Sequence, residues 1–136
     1  MDTNKGHEIR QKAFYLMRLV LQQHTAVWQK AMPGITKPQY AVLRTVLDQP
    51  GIEQIQLMNA AASTKATLAE LLNRLEKRGL VYRQADPNDR RRRFIFLTEL
   101  GEQVLETAQP VAETTDSQFL ARLDTEQRQQ LVTLLM

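Results

Sequence analysis

The chain has 136 residues, 43% of them hydrophobic and 24% charged, and a net charge of +3. This is ordinary composition for a single globular domain, which at this size buries about two thirds of its unfolded surface. No apolar run approaches the roughly 18 residues of a membrane span. The absence of cysteine excludes disulfides, thiolate metal sites, iron–sulfur clusters and thiol redox sensing. The start, MDTNKGHEIRQK, is polar and unlike a secretory signal, so the expectation is a cytoplasmic protein with no membrane partner.

Charge is unevenly spread. Residues 1–59 carry 7 basic and 4 acidic side chains, residues 60–98 carry 9 and 4, and residues 99–136 carry 2 and 7. A basic centre beside an acidic tail suggests a polyanion meeting the middle of the chain.

In chain order, the first six residues read as a frayed tail. From about His7 to Met32 the pattern is helical, with Ile9, Ala13, Leu16, Val20 and Val27 on one side and Phe14, Met17, Leu21 and Trp28 on another. A helix apolar on two sides is buried on two sides, in a chain this small most simply against a partner subunit. Pro33-Gly34 ends it. Thr36 is an N-cap and Pro38 a first-turn residue for a helix to about Leu47, burying Tyr40, Val42, Leu43 and Val46. After Pro50-Gly51, two short helices are expected. The first is about Glu53–Ala61, with Ile55 and Leu57 facing in. The second is about Thr64–Arg78, with a stripe of Leu68, Leu71, Leu72 and Leu75. Gly79 suits the left-handed position that closes it.

Leu80–Gln84 and Arg93–Leu97 read as strands joined by the turn Asp86-Pro87-Asn88-Asp89, a hairpin. Thr98 caps the next helix, and Glu99 and Glu102 suit its positive end. That helix runs through Val104, Leu105, Ala108 and Val111, and Pro110 is expected to kink or end it. Asp124 caps the last helix. Its apolar end, Leu131 to Met136, argues for docking against a partner's terminal helices.

Three helices followed by a two-stranded hairpin, across 36–98, is the order of a winged helix-turn-helix. The fold class expected is mainly α with a small β-hairpin wing, flanked by N- and C-terminal dimerisation helices. The divisions are 7–34, 35–98 and 99–136. Opposite the leucine stripe of the 64–78 helix lie Ala66, Ala69, Glu70, Asn73 and Lys77, flanked by Thr67 and Arg74. Ala66 and Ala69 are small enough to enter a major groove about 12 Å wide and touch thymine methyls. Thr67 can bond a base or a phosphate. Glu70 can accept from a cytosine amine or pair with Arg74 four residues on. Ser63, Thr64 and Lys65 stand where helix-end amides and short donors meet phosphates. The wing carries Arg90, Arg91, Arg92 and Arg93 in succession. On a strand these alternate sides, so at least one pair points away from the protein, suited to the deep negative potential of a narrow minor groove.

Asp89-Arg90-Arg91-Arg92-Arg93-Phe94-Ile95-Phe96-Leu97-Thr98-Glu99-Leu100-Gly101 resembles the wing signature of the multiple antibiotic resistance regulator (MarR) family: D-x-R, three residues, an apolar, any, then L-T-x-x-G. Residues 73–81 resemble the end of that family's recognition helix, and residues 35–43 its second helix. The resemblance implies an obligate homodimer, built from the terminal helices, that binds a palindromic double-stranded operator. It places Arg91 as the wing arginine in the minor groove, Asp89 as the acid that orients it, and Thr64, Lys65, Ala66 and Thr67 at the start of the recognition helix. Thr64 stands where an aspartate is common and Glu70 where a basic residue is frequent, so the operator sequence does not carry over.

Many members of the family are repressors released by small aromatic or phenolic anions, held in a crevice between the dimer helices and the DNA-binding lobe. Tyr15, Arg18, His24 and Trp28 in the first helix are similar in placement to groups that hold aromatic carboxylates in such members. An arginine can clamp a carboxylate bidentately and aromatic rings can wall the pocket. Two readings remain beside this one: a different small ligand, or none, with Arg18 pairing across the dimer and His24 an interface histidine.

Catalysis is not expected. No Ser/His/Asp set, glycine-rich phosphate loop or metal cluster appears, and the only histidines are His7 and His24. No cofactor or metal follows from the sequence. The competing class is a winged-helix module whose basic wing meets an acidic protein.

Overall fold

The protein is described from a computed structural model that covers residues 3–61 and 64–136. Helix α1 spans Thr3–Ala31. It starts earlier than the expected frayed tail allowed, and His7 lies within it. Residues 4–12 include Lys, Glu, Arg and Gln, all good helix formers, and their sum offsets the cost of Gly6, about 1 kcal/mol.

Helix α2 spans Lys37–Asp48 and opens on a capping box. The Thr36 hydroxyl accepts from the Gln39 N–H at 3.2 Å, and the Gln39 carboxamide accepts from the Thr36 N–H at 3.1 Å. Val42, Leu43 and Val46 are buried and Tyr40 is half-buried.

The segment after Gly51 differs from the helix expected over 53–61. Ile52–Glu53 form a short strand, β1, followed by a single 3-10 turn, Gln54–Gln56, and helix α3, Leu57–Ala61. Ile52 is drawn into the sheet opposite Ile95, and Gly51, at a φ of +82°, turns the chain so that its N–H donates to the Ile95 carbonyl at 2.9 Å. Leu57 is buried as expected. Ile55, expected inside, is 63% exposed.

Helix α4 spans Lys65–Lys77 and buries Leu68, Leu72 and Leu75, with Leu71 half-buried. It ends in a Schellman arrangement: the Gly79 N–H donates to Glu76 O at 2.9 Å and the Leu80 N–H to Leu75 O at 3.0 Å, with Gly79 at a φ of +73°. Strands β2, Val81–Ala85, and β3, Arg93–Leu97, pair antiparallel from Val81 opposite Leu97 to Ala85 opposite Arg93. With β1 on the other side of β3, the wing is a three-stranded sheet of order β1-β3-β2 rather than a bare hairpin.

Helix α5 spans Glu99–Phe119. Thr98 caps it, accepting from the Gly101 N–H at 3.0 Å. The helix continues through Pro110 instead of ending there. Proline costs the Glu106 carbonyl its intrahelical partner, and both residues are exposed, so water can supply the bond. Helix α6, Thr125–Leu135, opens on the capping box of Asp124 and Gln127. No described helix is long and apolar enough to cross a membrane.

The chain forms two compact units. One joins the segment up to Pro33 with Ala112–Met136, and the other is Gly34–Val111. The core of the second is built from Val42, Leu43, Leu57, Leu68, Leu72, Leu75, Ile95 and Leu105, each at most 1% exposed. In the first, Trp28, Ala112 and Thr115 are buried, while Ile9, Phe14, Leu16, Val20 and Leu21 of α1 and Val132, Leu134 and Leu135 of α6 are exposed.

Candidate nucleic-acid interface

The first turn of α4 projects outward. Thr64 is its N-cap: its hydroxyl oxygen accepts from the Thr67 N–H at 3.2 Å, and its O–H donates to Thr67 Oγ1 at 3.0 Å. Lys65, Ala66 and Thr67 are exposed, and Ala69 is half-buried beneath them. The helix thus presents N–H groups, a short hydroxyl and a methyl-sized surface at its positive end. Such a surface approaches phosphates and base edges closely. Glu70 accepts from Arg74 Nη2 at 2.8 Å, so these two exposed side chains form the i,i+4 pair. Ser63 lies outside the described residues.

The wing turn is ordered by its own aspartates. Asp86 Oδ1 accepts from the Asn88 N–H at 2.9 Å. Asp89 Oδ1 accepts from both the main-chain N–H of Arg91, at 3.0 Å, and its Nε, at 3.2 Å. The Arg91 side chain is 93% exposed. An arginine held at its root and free at its tip suits a groove. Arg90 is also exposed.

The alternation expected of four strand arginines does not arise, because β3 begins only at Arg93 and Arg90 and Arg91 lie in the turn. Arg92 folds back. Its Nε donates to Glu53 Oε1 at 2.7 Å, its Nη2 donates to the same oxygen, and its Nη1 reaches Asp86 Oδ2 at 3.4 Å. The hydrogen bond and the charge of Glu53 raise the Arg92 pKa above the ordinary arginine value. Arg83 of β2 is similarly engaged, donating to Glu76 at 2.7 Å and to Asn73, both on α4. Glu53 and Arg83 carried no signal in the sequence. Their roles come from strand pairing and packing that bring distant residues together.

Between α4 and the wing lies a groove of about 500 Å³, lined by Lys65, Asn73, Arg83, Arg91 and Arg93 with Gln54, Ile55, Met58 and Leu68. Four of these side chains, Lys65, Arg83, Arg91 and Arg93, are cationic. Lys65 and Arg91, both singled out from sequence, therefore meet in one basic concavity.

In the other unit, the four α1 residues considered for a ligand fall into two pairs. Tyr15 and Arg18 lie exposed on α1, beside His7, Arg10, Gln11 and Phe14 of the same helix. His24 lies further along, its ring centroid 5.9 Å from that of buried Trp28 and 5.1 Å, edge-on, from Phe119. His24 Nε2 is 2.7 Å from Asp116 Oδ1. Phe119 and Asp116, on α5, were not expected there. Among the described residues no group of three or more His, Cys, Asp or Glu could hold a metal ion.

The family model described as MarR matches residues 35–92. The chain is 53% identical over 127 residues to the transcriptional regulator HosA of Escherichia coli, covering 93% of this chain and 94% of that one. It is 30% identical over 134 residues to the HTH-type transcriptional repressor NicR of Pseudomonas putida, covering 97% and 85%. Among solved structures, Bordetella bronchiseptica BpsR, whose DNA binding is regulated by 6-hydroxynicotinic acid, superposes with a TM-score of 0.83 at 30% identity, covering 91% of this chain and 96% of that one. With its helix-turn-helix, basic wing and D-x-R turn, the chain belongs to the MarR family of DNA-binding transcriptional regulators.

Proposed function

We propose that the protein is a homodimeric repressor, without enzymatic activity, that acts in the cytoplasm on a pseudo-palindromic operator and is released by a small aromatic or phenolic anion. The observation that carries the DNA reading is the meeting of the α4 first turn with Arg91 in one basic groove. Thr64, Lys65, Ala66 and Thr67 enter the major groove, with Glu70 and Arg74 further along the same face. Arg91, oriented by Asp89, enters the adjacent minor groove, and Arg90 adds positive charge beside it. Two copies place two such helices about one helical turn of DNA apart.

Dimerisation is supported by the apolar residues that α1 and α6 expose. Leu134, Leu135 and Met136 are 83%, 66% and 97% exposed. That is costly in water at about 25 cal/mol per Å² of apolar surface and is relieved by a second copy.

The anion reading rests on Arg18, Tyr15, His24 and Trp28 of α1, and on relatives named as repressors or as regulated by an aromatic acid. Arg18 supplies the carboxylate clamp and the rings supply stacking surface. Ligand must bind the DNA-incompetent dimer more tightly than the competent one to release it.

The test is a titration of purified protein against its own upstream DNA, with and without a panel of substituted benzoic and nicotinic acids. A Kd of about 10⁻⁸ M or tighter that weakens with an acid supports the whole reading. Tight binding indifferent to every acid removes the effector part alone. Weak binding blind to sequence favours a protein-interaction module instead.

A further inference from the structure

The wing arginines are adjacent in sequence but not equivalent in surroundings. Arg91 bonds within its own turn, to Asp89, and its side chain is nearly all in solvent. Arg92 meets Glu53 through two of its nitrogens and Asp86 through the third, and its guanidinium stands 5.3 Å from the centroid of the Phe94 ring. Three segments converge on that one group: β1, the β2–β3 turn and β3. Two carboxylates already neutralise it, so a phosphate would have to displace them.

The main chain is engaged at the same place. The Arg92 carbonyl accepts from the Asp86 N–H at 3.1 Å, and the Arg92 N–H donates to the Asp89 carbonyl at 3.1 Å. Asp89 is the residue that holds Arg91. A displacement of Arg92 therefore passes through one hydrogen bond to the group that aims Arg91.

We infer that Glu53 and Arg92 are positioning residues for DNA reading: they clamp the wing turn to β1 so that Asp89 presents Arg91, and Arg92 itself neutralises no phosphate. This rests on the assignment of α4 and the wing as the DNA surface, and it revises the expectation that Arg92 is a DNA contact. The two-residue strand β1 acquires a role as the strut of the wing. A wing released from it keeps its charge but spreads Arg91 over many orientations. It then binds any duplex and loses register on the correct one.

The experiment compares the full-length protein on its upstream operator and on a scrambled duplex over a range of salt. Glu53→Gln should lower the operator-to-scrambled affinity ratio about tenfold, as expected for loss of one charged hydrogen-bonding group, while affinity for scrambled DNA holds or rises. Arg92→Gln should lower the ratio similarly, and the double variant no further, because both remove the same clamp. Arg92→Gln should keep the wild-type salt slope, whereas Arg91→Gln should flatten it by about 1.

A slope loss of about 1 in Arg92→Gln, or a wild-type ratio in Glu53→Gln, overturns the clamp. An Arg91→Gln protein with unchanged affinity and slope overturns instead the wing reading on which it rests.

Discussion

A Cβ placed on Gly101 would stand 2.1 Å from the carbonyl oxygen of Leu80, a main-chain atom that cannot swing aside. The start of α5 therefore lies against the chain just after α4. Thr98 holds the two together: its N–H donates to the Leu80 carbonyl at 3.0 Å and its hydroxyl donates to the Gly79 carbonyl. This is why a threonine and a glycine three residues apart follow the wing. Gly101→Ala should destabilise the fold by about 1–3 kcal/mol or more, the usual cost of overpacking a closed site. Urea unfolding would measure it, and a wild-type midpoint would contradict the contact.

Ala66 is exposed in the first turn of α4. Ala66→Glu puts a carboxylate on the face proposed to meet the DNA backbone and base edges. Operator affinity should fall at least about a hundredfold, because like charges forced together cost several kcal/mol. The circular dichroism spectrum and melting temperature should stay near wild type. Full affinity in the folded variant would move the recognition face elsewhere.

Leu134 and Val20 are exposed apolar residues on α6 and α1. The double variant Val20→Asp, Leu134→Asp should sediment as a monomer where the wild type sediments as a dimer. Operator affinity should fall with it, since one recognition helix reads only a half-site. A wild-type protein that sediments as a monomer at micromolar concentration would refute the dimer.

Trp28 is the only tryptophan, and its ring lies 5.9 Å from that of His24, so its fluorescence reports on this corner directly. An aromatic acid that releases DNA should also change Trp28 emission. Arg18→Gln should weaken that acid about tenfold or more, in line with a lost charged hydrogen bond, and leave ligand-free DNA binding intact. Asp116→Asn, which replaces the carboxylate on His24 with a neutral amide, should weaken it by less. An acid that binds Arg18→Gln as well as wild type would remove Arg18 from the site.

Much of the fold was legible because its signals are local. The caps at Thr36, Thr98 and Asp124 need only a short polar side chain and the next turn of backbone. Gly79 needs only a positive φ, and the leucine stripe of α4 needs only the helical period. The D-x-R turn is local as well: Asp89 and Arg91 are two residues apart, and one carboxylate reaches both the N–H and the side chain of the other. That Pro110 does not end α5 is not local in this sense, since a proline's cost depends on whether the orphaned carbonyl can reach water.

Tertiary structure decided what depends on partners far apart in the chain. Ile52 pairs with Ile95, and two residues of strand have no periodicity to read, so the sequence shows no β1 and Glu53 reads as the start of a helix. Glu53 and Arg92 are 39 residues apart, and His24 and Asp116 are 92 apart. Four arginines in a row look alike as a string of letters. Only the position of two carboxylates beside one of them, and of open solvent beside another, separates the arginine that is held from the arginine that is offered. Local hydrogen-bonding geometry is encoded in neighbouring residues. The environment of a charge is not, because it is set by whichever segments the core brings to it.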